Sequence, residues 1–227
     1  MKRLIKALLL FSASLALAGN NDIYITQSGT GLTMNIDQIG DTNKVGTSQT
    51  RATFTGTSMT VDIDQVGDTN TYTATVAQGN SSSWTTRQTG DENVSTITVG
   101  GTGDAASTDF DYGATGNENV LTLTQGAAAT ATGANQDYVV LGDENNINTT
   151  CEVIGCINNW NVDGDTNDID TTQTGNDDHS ITGTITGNTN NIDIDQTNST
   201  GSVSDVVVIT ATTSNGTIDI DQCTSGC

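Results

Sequence analysis

A four-residue phrase, Gly-(Asp/Asn)-x-Asn, returns seven times along this chain: Gly40 to Asn43, Gly67 to Asn70, Gly90 to Asn93, Gly116 to Asn119, Gly142 to Asn145, Gly164 to Asn167 and Gly187 to Asn190. Successive marker glycines are 27, 23, 26, 26, 22 and 23 residues apart. A period of that length belongs to stacked-repeat architectures. One repeat cannot bury its apolar side alone and lays it against the next copy, so the chain is expected to form a column rather than a globule.

Counting from each marker glycine exposes the rung. Five, seven and nine residues after it stand Val45/Thr47/Gln49, Tyr72/Ala74/Val76, Ser95/Ile97/Val99, Leu121/Leu123/Gln125, Ile147/Thr149/Cys151, Ile169/Thr171/Gln173 and Ile192/Ile194/Gln196. Two further segments fit without a marker, Ile23/Ile25/Gln27 and Ile218/Ile220/Gln222. Spacing of two puts each set on one face of a strand. Six, four and two residues before the marker stand Met34/Ile36/Gln38, Val61/Ile63/Gln65, Trp84/Thr86/Gln88, Phe110/Tyr112/Ala114, Gln136/Tyr138/Val140, Asn158/Trp160/Val162 and Ile181/Gly183/Ile185, with Val207/Ile209/Ala211 continuing the set. The marker is then the tight turn between a second-type strand and the first-type strand that follows, glycine supplying positive φ and Asp or Asn bonding nearby amides. Variation in length falls in the opposite loops, near 50–58, 77–82, 100–108, 126–134, 152–156, 174–179 and 197–204.

Two inward faces per rung predict an all-β, flattened two-sheet β-solenoid of eight to nine rungs, about 40 Å tall at about 4.8 Å per rung. A buried Gln costs free energy when its amide is unpaired. Repeated at one position, amides bond one another along the axis. The columns Gln38/Gln65/Gln88 and Gln173/Gln196/Gln222 fit that arrangement, as does the marker Asn column.

Residues 1–18 read as a bacterial-type signal peptide: Lys2, Arg3 and Lys6, an apolar stretch from Ala7 to Leu17, and Ala16-Leu17-Ala18 as cleavage site. Residues 19–227 form a single repeat domain, expected to be exported, with no membrane span after cleavage. That domain holds all 27 acidic residues against three basic ones, Lys44, Arg51 and Arg87. Phosphate contacts need cations, which excludes nucleic acid as a partner. Four cysteines in an exported chain suggest two disulfides. Local staples Cys151–Cys156 and Cys223–Cys227 are one pairing; a C-terminal pair that locks one subunit to the next is the other.

The spacing Gln38-x-Gly40-x-x-Asn43, followed by Gln49, resembles the curlin repeat, as do Gln65-x-Gly67-x-x-Asn70 and Gln88-x-Gly90-x-x-Asn93. The looser Gln27-x-Gly29 and Gln173-x-Gly175 echo it. The resemblance implies a secreted subunit of an extracellular amyloid fibre that builds biofilm matrix or mediates adhesion, with an outer-membrane exporter and a nucleator subunit as further partners. This chain departs from the family in having more and less even repeats, four cysteines, and a rung that starts at Ile23 without a separate targeting stretch.

An open solenoid exposes backbone donors and acceptors at both ends unless they are capped. Neither end of the sequence carries a cap. Ile23, Ile25 and Gln27 at one end and Ile218, Ile220 and Gln222 at the other are expected to be the polymer contacts, the chain itself being the partner in head-to-tail growth. First-type strands outnumber second-type strands by one, so residues 20–27 or 217–222 are expected to complement the adjacent subunit by strand addition.

Outward positions place Asp170, Asp193 and Asp219 in one column and Asp195 and Asp221 in the next. Such neighbours repel by on the order of 1 kcal/mol even in water, which a Ca²⁺ ion would relieve; a solvated acidic face is the plainer reading. Thr73/Thr75, Thr96/Thr98 and Thr122/Thr124 form a flat array, and a monomeric ice- or cation-binding solenoid is the alternative function. Asp64 and Arg87 are expected to pair. His179 stands in a variable loop, expected to be solvated, and no cofactor motif or catalytic constellation is present.

Overall fold

The computed structural model describes residues 14–16, 20–40, 42–46, 52–67, 69–77, 80–90, 92–100, 107–126, 133–152, 154–175, 179–198 and 205–224. Its strands are, in order, β1 (Ser14–Ala16), β2 (Asn20–Ile23), β3 (Thr26–Ser28), β4 (Thr33–Ile39), β5 (Thr42–Val45) and β6 (Ala52–Thr55). There follow β7 (Thr60–Val66), β8 (Thr69–Ala77), β9 (Ser83–Thr89), β10 (Glu92–Val99), β11 (Asp109–Thr115) and β12 (Glu118–Gln125). The last six are β13 (Asn135–Leu141), β14 (Glu144–Cys151), β15 (Ile157–Asp163), β16 (Thr166–Gly175), β17 (Ser180–Asn198) and β18 (Val206–Thr224). All pairings are parallel, and each strand pairs with the equivalent strand one rung away. The fold is the expected β-solenoid, and its rung number is close to the eight to nine anticipated.

One layer contains β2 with β3, β5 with β6, then β8, β10, β12, β14, β16 and the second halves of β17 and β18. The other contains β1, β4, β7, β9, β11, β13, β15 and the first halves of β17 and β18. Register is residue for residue: Tyr72, Ser95, Leu121, Ile147, Ile169, Ile192 and Ile218 stand in one column. The inward columns are buried and the alternate positions are not, the burial pattern of a strand with one dry face.

Two expectations need correction. Thr47 and Gln49 do not supply the second rung's inner positions. Ala52 stands beside Ala74 and Phe54 beside Val76, while residues 47–51 lie outside the described residues. The extra length of this repeat therefore sits within the first-type strand, between β5 and β6, rather than at 50–58. Phe54 has the larger apolar payload: it is fully buried, and its ring meets Trp84 of the facing layer edge-on at 4.9 Å between centroids. The marker glycines Gly40 and Gly67 have the expected positive φ, at 154° and 156°, but the turn column also has a second requirement. Gly90 and Gly164 are not at positive φ. A Cβ at Gly90 would lie 1.5 Å from the Gly67 carbonyl oxygen, and one at Gly164 would lie 1.9 Å from that of Gly142. The turns stack so closely that the column admits no side chain.

In one inner column three large aromatic residues, Tyr112, Tyr138 and Trp160, stand in succession. Trp160 is followed by Gly183, and a Cβ at Gly183 would fall 2.4 Å from the Trp160 ring. Gly183→Ala should therefore destabilise the fold by about 1–3 kcal/mol through overpacking. Equilibrium urea unfolding checks this; an unchanged midpoint would show that the ring moves aside freely.

Candidate functional site: axial ladders and open ends

The expected amide columns form, and they staple the turns. The side-chain nitrogens of Asn93, Asn119, Asn145 and Asn167 each donate to the side-chain oxygen of the next marker Asn, at 2.8, 2.8, 2.6 and 2.7 Å, ending on Asn190. The same nitrogens reach the carbonyl of their own marker glycine, as Asn167 does to Gly164 at 2.8 Å. Asn43 and Asn70 are buried in the same column but bond backbone instead, Asn43 to Val66 O at 2.8 Å and Asn70 to Gly67 O at 3.1 Å. The column stops after Asn190 because Gly216 stands next. Gly40, Gly67, Gly90, Gly116, Gly142, Gly164 and Gly187 accompany these residues as the turn column.

The glutamine ladders run with the opposite polarity. Gln65 Nε2 donates to Gln38 Oε1 at 2.7 Å and Gln88 Nε2 to Gln65 Oε1 at 2.8 Å. The second hydrogen of each nitrogen crosses to the facing layer: Gln38 to Lys44 O, Gln65 to Thr71 O and Gln88 to Val94 O. Ala114 follows Gln88 in its column, and the last Gln oxygen is instead satisfied by Ser95 Oγ at 2.8 Å and Tyr112 OH at 3.0 Å. The other ladder runs from Gln222 Nε2 to Gln196 Oε1 at 2.6 Å and from Gln196 Nε2 to Gln173 Oε1 at 2.8 Å.

Sequence reasoning missed a third polar cluster. Gln136 Nε2 donates to Gln125 Oε1 at 2.7 Å, Tyr138 OH donates to Gln136 Oε1, and Asn158 donates to Gln136 Oε1 at 3.2 Å. All four residues are buried, and burial pushes the Tyr138 hydroxyl well above its ordinary pKa. The signal lay in Gln125, Gln136 and Asn158 standing at inward positions; Gln136 and Asn158 are neighbours in one column, but Gln125 meets Gln136 from the facing layer, so no run of like amides marks the cluster.

The ends are open among the described strands. β18 pairs only with β17, β2 only with β5 and β3 only with β6. Ile218 and Ile220 are 46% and 40% exposed although their columns are otherwise dry, and Ile23 and Ile25 are half-buried at the opposite end. Gln27 and Gln222 occupy the two extremities of one column.

Cys151 and Cys156 are disulfide-bonded with Cα atoms 6.5 Å apart, as one of the two expected pairings requires. Cys223 is also disulfide-bonded, and Cys227 lies outside the described residues. His179 is buried, not solvated as expected; its Nδ1 accepts from Cys156 N at 3.3 Å, and its own N–H donates to Asp205 Oδ1 at 3.0 Å. It continues the inward alternation one step beyond β17, stacked over Cys156. Arg87 pairs with Asp64 at 2.9 Å as anticipated, and also with Asp62 at 3.2 Å. Half-exposed, this cluster contributes only about 0–1 kcal/mol.

Asp170, Asp193 and Asp219 form the expected column, with Asp195 and Asp221 beside them. Among the described residues no group of three or more His, Cys, Asp or Glu side chains is placed to hold a metal ion. Partial burial, then Asp193 and its neighbours, raise the Asp170 and Asp195 carboxyls above the ordinary value of 3.8. Thr73, Thr96 and Thr122 are aligned, as are Thr75, Thr98 and Thr124. No family model, no curated protein and no solved structure matches this chain.

Gln65→Leu should destabilise the column by about 2–4 kcal/mol, because it strands Gln38 Oε1 and one Gln88 N–H in a dry core; chemical denaturation reads this directly, and a loss below about 0.5 kcal/mol would deny the ladder its role. A carboxyl raised in the folded state binds its proton more tightly there, so its stability contribution is complete below 3.8 and is lost as pH rises through the folded value. The double variant Asp170→Asn/Asp195→Asn should therefore melt above the parent at pH 7, and the gap should close as pH falls towards 3.8. Melting curves across that range check the sign.

Proposed function

We propose that this chain is an exported structural subunit that polymerises head-to-tail into an extracellular, amyloid-like fibre of the curlin kind, serving adhesion or biofilm matrix. The observation that carries this reading is that the two open ends are the same surface continued. Ile218, Ile220 and Gln222 close the columns that Ile23, Ile25 and Gln27 begin. The ladder polarity also matches, since each upper Gln donates to the one below. A second copy seated on β18 would set its Gln27 nitrogen towards the Gln222 oxygen, cover Ile218 and Ile220, and satisfy a free backbone edge. The leader at residues 1–18 and the resemblance of the first repeats support export, with an outer-membrane exporter and a nucleator subunit as proposed partners. The work of the chain is done by backbone and amide ladders, so no catalytic residue is assigned.

Electron microscopy and thioflavin fluorescence of the secreted product test the reading. Ile220→Asp should leave the circular dichroism of the single chain unchanged, because Ile220 is already 40% exposed there, and should abolish elongation by burying an unpaired charge in the junction. Fibres growing at the parental rate would overturn head-to-tail stacking through this surface.

A further inference from the structure

Stacking two exported chains along their columns leaves one strand position unfilled. Every first-type strand is preceded by a second-type strand, and for β2 and β3 that predecessor is β1. Ser14 stands beside Asp37, Leu15 beside Gln38 and Ala16 beside Ile39, so β1 occupies the outer edge of β4 in parallel register. β1 lies ahead of the expected cleavage after Ala18, so an exported chain lacks it. At the far end, the last described strand segment is the first-type half of β18. At a junction, β4 of one copy therefore faces the first half of β18 of the other across a gap one strand wide.

Strands β2 to β18 already hold places of their own in the two layers, so no described strand of either copy is left over to fill the gap along β4, which is 7 residues long. We propose that the gap is an acceptor site for an extended segment of a different secreted chain, inserted parallel to β4. This inference rests on the head-to-tail reading for its β18 wall; its β4 wall exists in a single exported chain. β1 shows what kind of occupant the edge takes: a parallel strand, matched residue for residue.

The chemistry of the walls defines the partner. Inward from β4 stand Met34, Ile36 and Gln38, and from β18 stand Val207, Ile209 and Ala211. Two large apolar residues at alternate positions fill the first two columns. A Gln at the third extends the Gln38/Gln65/Gln88 ladder, and an Ala merely fits. The partner segment therefore reads apolar-x-apolar-x-Gln, the pattern of Met34-x-Ile36-x-Gln38 and Val61-x-Ile63-x-Gln65 in this chain. Backbone bonds to both walls give affinity and the three inward side chains give selectivity.

The test uses a labelled peptide with the sequence of residues 33–39, added to the purified exported chain below its assembly concentration and to its fibres. We expect one peptide per chain, with a photo-cross-linker at its fourth residue labelling residues 33–39 in single chains and both 33–39 and 206–213 in fibres. A scrambled peptide, and one carrying Asn35→Pro, should bind at least about tenfold more weakly, the proline removing a backbone donor. Chains that retain residues 1–18 should refuse the peptide at β4. Equal binding of the scrambled peptide, cross-links confined to other segments, or no binding to single chains and fibres alike would overturn the acceptor site. Peptide binding to a chain that never polymerises would uphold the β4 wall and sink the stacking reading; fibres that exclude the peptide would do the reverse.

Discussion

Parallel, in-register stacking at about 4.8 Å makes the nearest neighbour of most side chains the residue at the same position one rung away. That single constraint sorts the sequence. Apolar residues gain dry contacts in columns such as Leu121, Ile147, Ile169 and Ile192. Amides become partners of one another, so a core holding as many buried Asn and Gln residues as this one is tolerable. The marker glycines approach so closely that no Cβ fits between them. Carboxylates suffer from partial burial and then from the same proximity, and the two together raise the Asp170 and Asp195 carboxyls.

A ladder of amides has a direction, and a direction has two ends. The Asn column donates towards the C-terminal rungs and the Gln columns donate towards the N-terminal ones. Aligned amide dipoles add along a column, so opposed columns offset one another across the thin core. Each interior end needs a terminator. Ser95 and Tyr112 supply two hydroxyls at the place where Gln88 meets Ala114, which explains a serine in a column otherwise filled by large apolar residues. Among the described residues no such hydroxyl stands above Gln222, which lies in the last described rung of the Gln173/Gln196/Gln222 ladder. In the proposed stack, Gln27 of the next copy takes that place.

The periodic part of this arrangement was legible because stacking repeats its demands: marker Gly and Asn residues, Gln38/Gln65/Gln88, and alternate apolar residues recur at fixed offsets. What occurs once was not legible. The insertion between β5 and β6 breaks the offset count inside a strand, and the core position beside Val76 goes to Phe54, which packs against Trp84. The Gln125–Gln136–Tyr138–Asn158 cluster joins one column step, Gln136 to Asn158, to a bond from the facing layer, so no run of like residues betrays it. His179 stands just outside the last counted inward position, and its burial follows only once the strand alternation is seen to persist into the loop. The glycines were placed correctly but for an incomplete reason, because close axial approach is a property of two rungs and cannot be read from one.

Charge then decides how such columns meet. With 27 acidic residues in the chain, two columns approaching side by side repel over about a Debye length, roughly 8–10 Å at physiological ionic strength. End-on approach in the proposed register differs. It sets Asp219 towards Tyr24, Asp221 towards Thr26 and Thr217 towards Asp22, so no carboxylate column continues across the junction. Apolar inner columns and amide ladders then act at the ends without like-charge opposition at contact, while the acidic flanks hold neighbouring columns apart. In the proposed stack, the composition that holds lateral neighbours apart leaves growth along one axis unopposed, and screening by salt weakens the lateral repulsion far more than it weakens the dry junction.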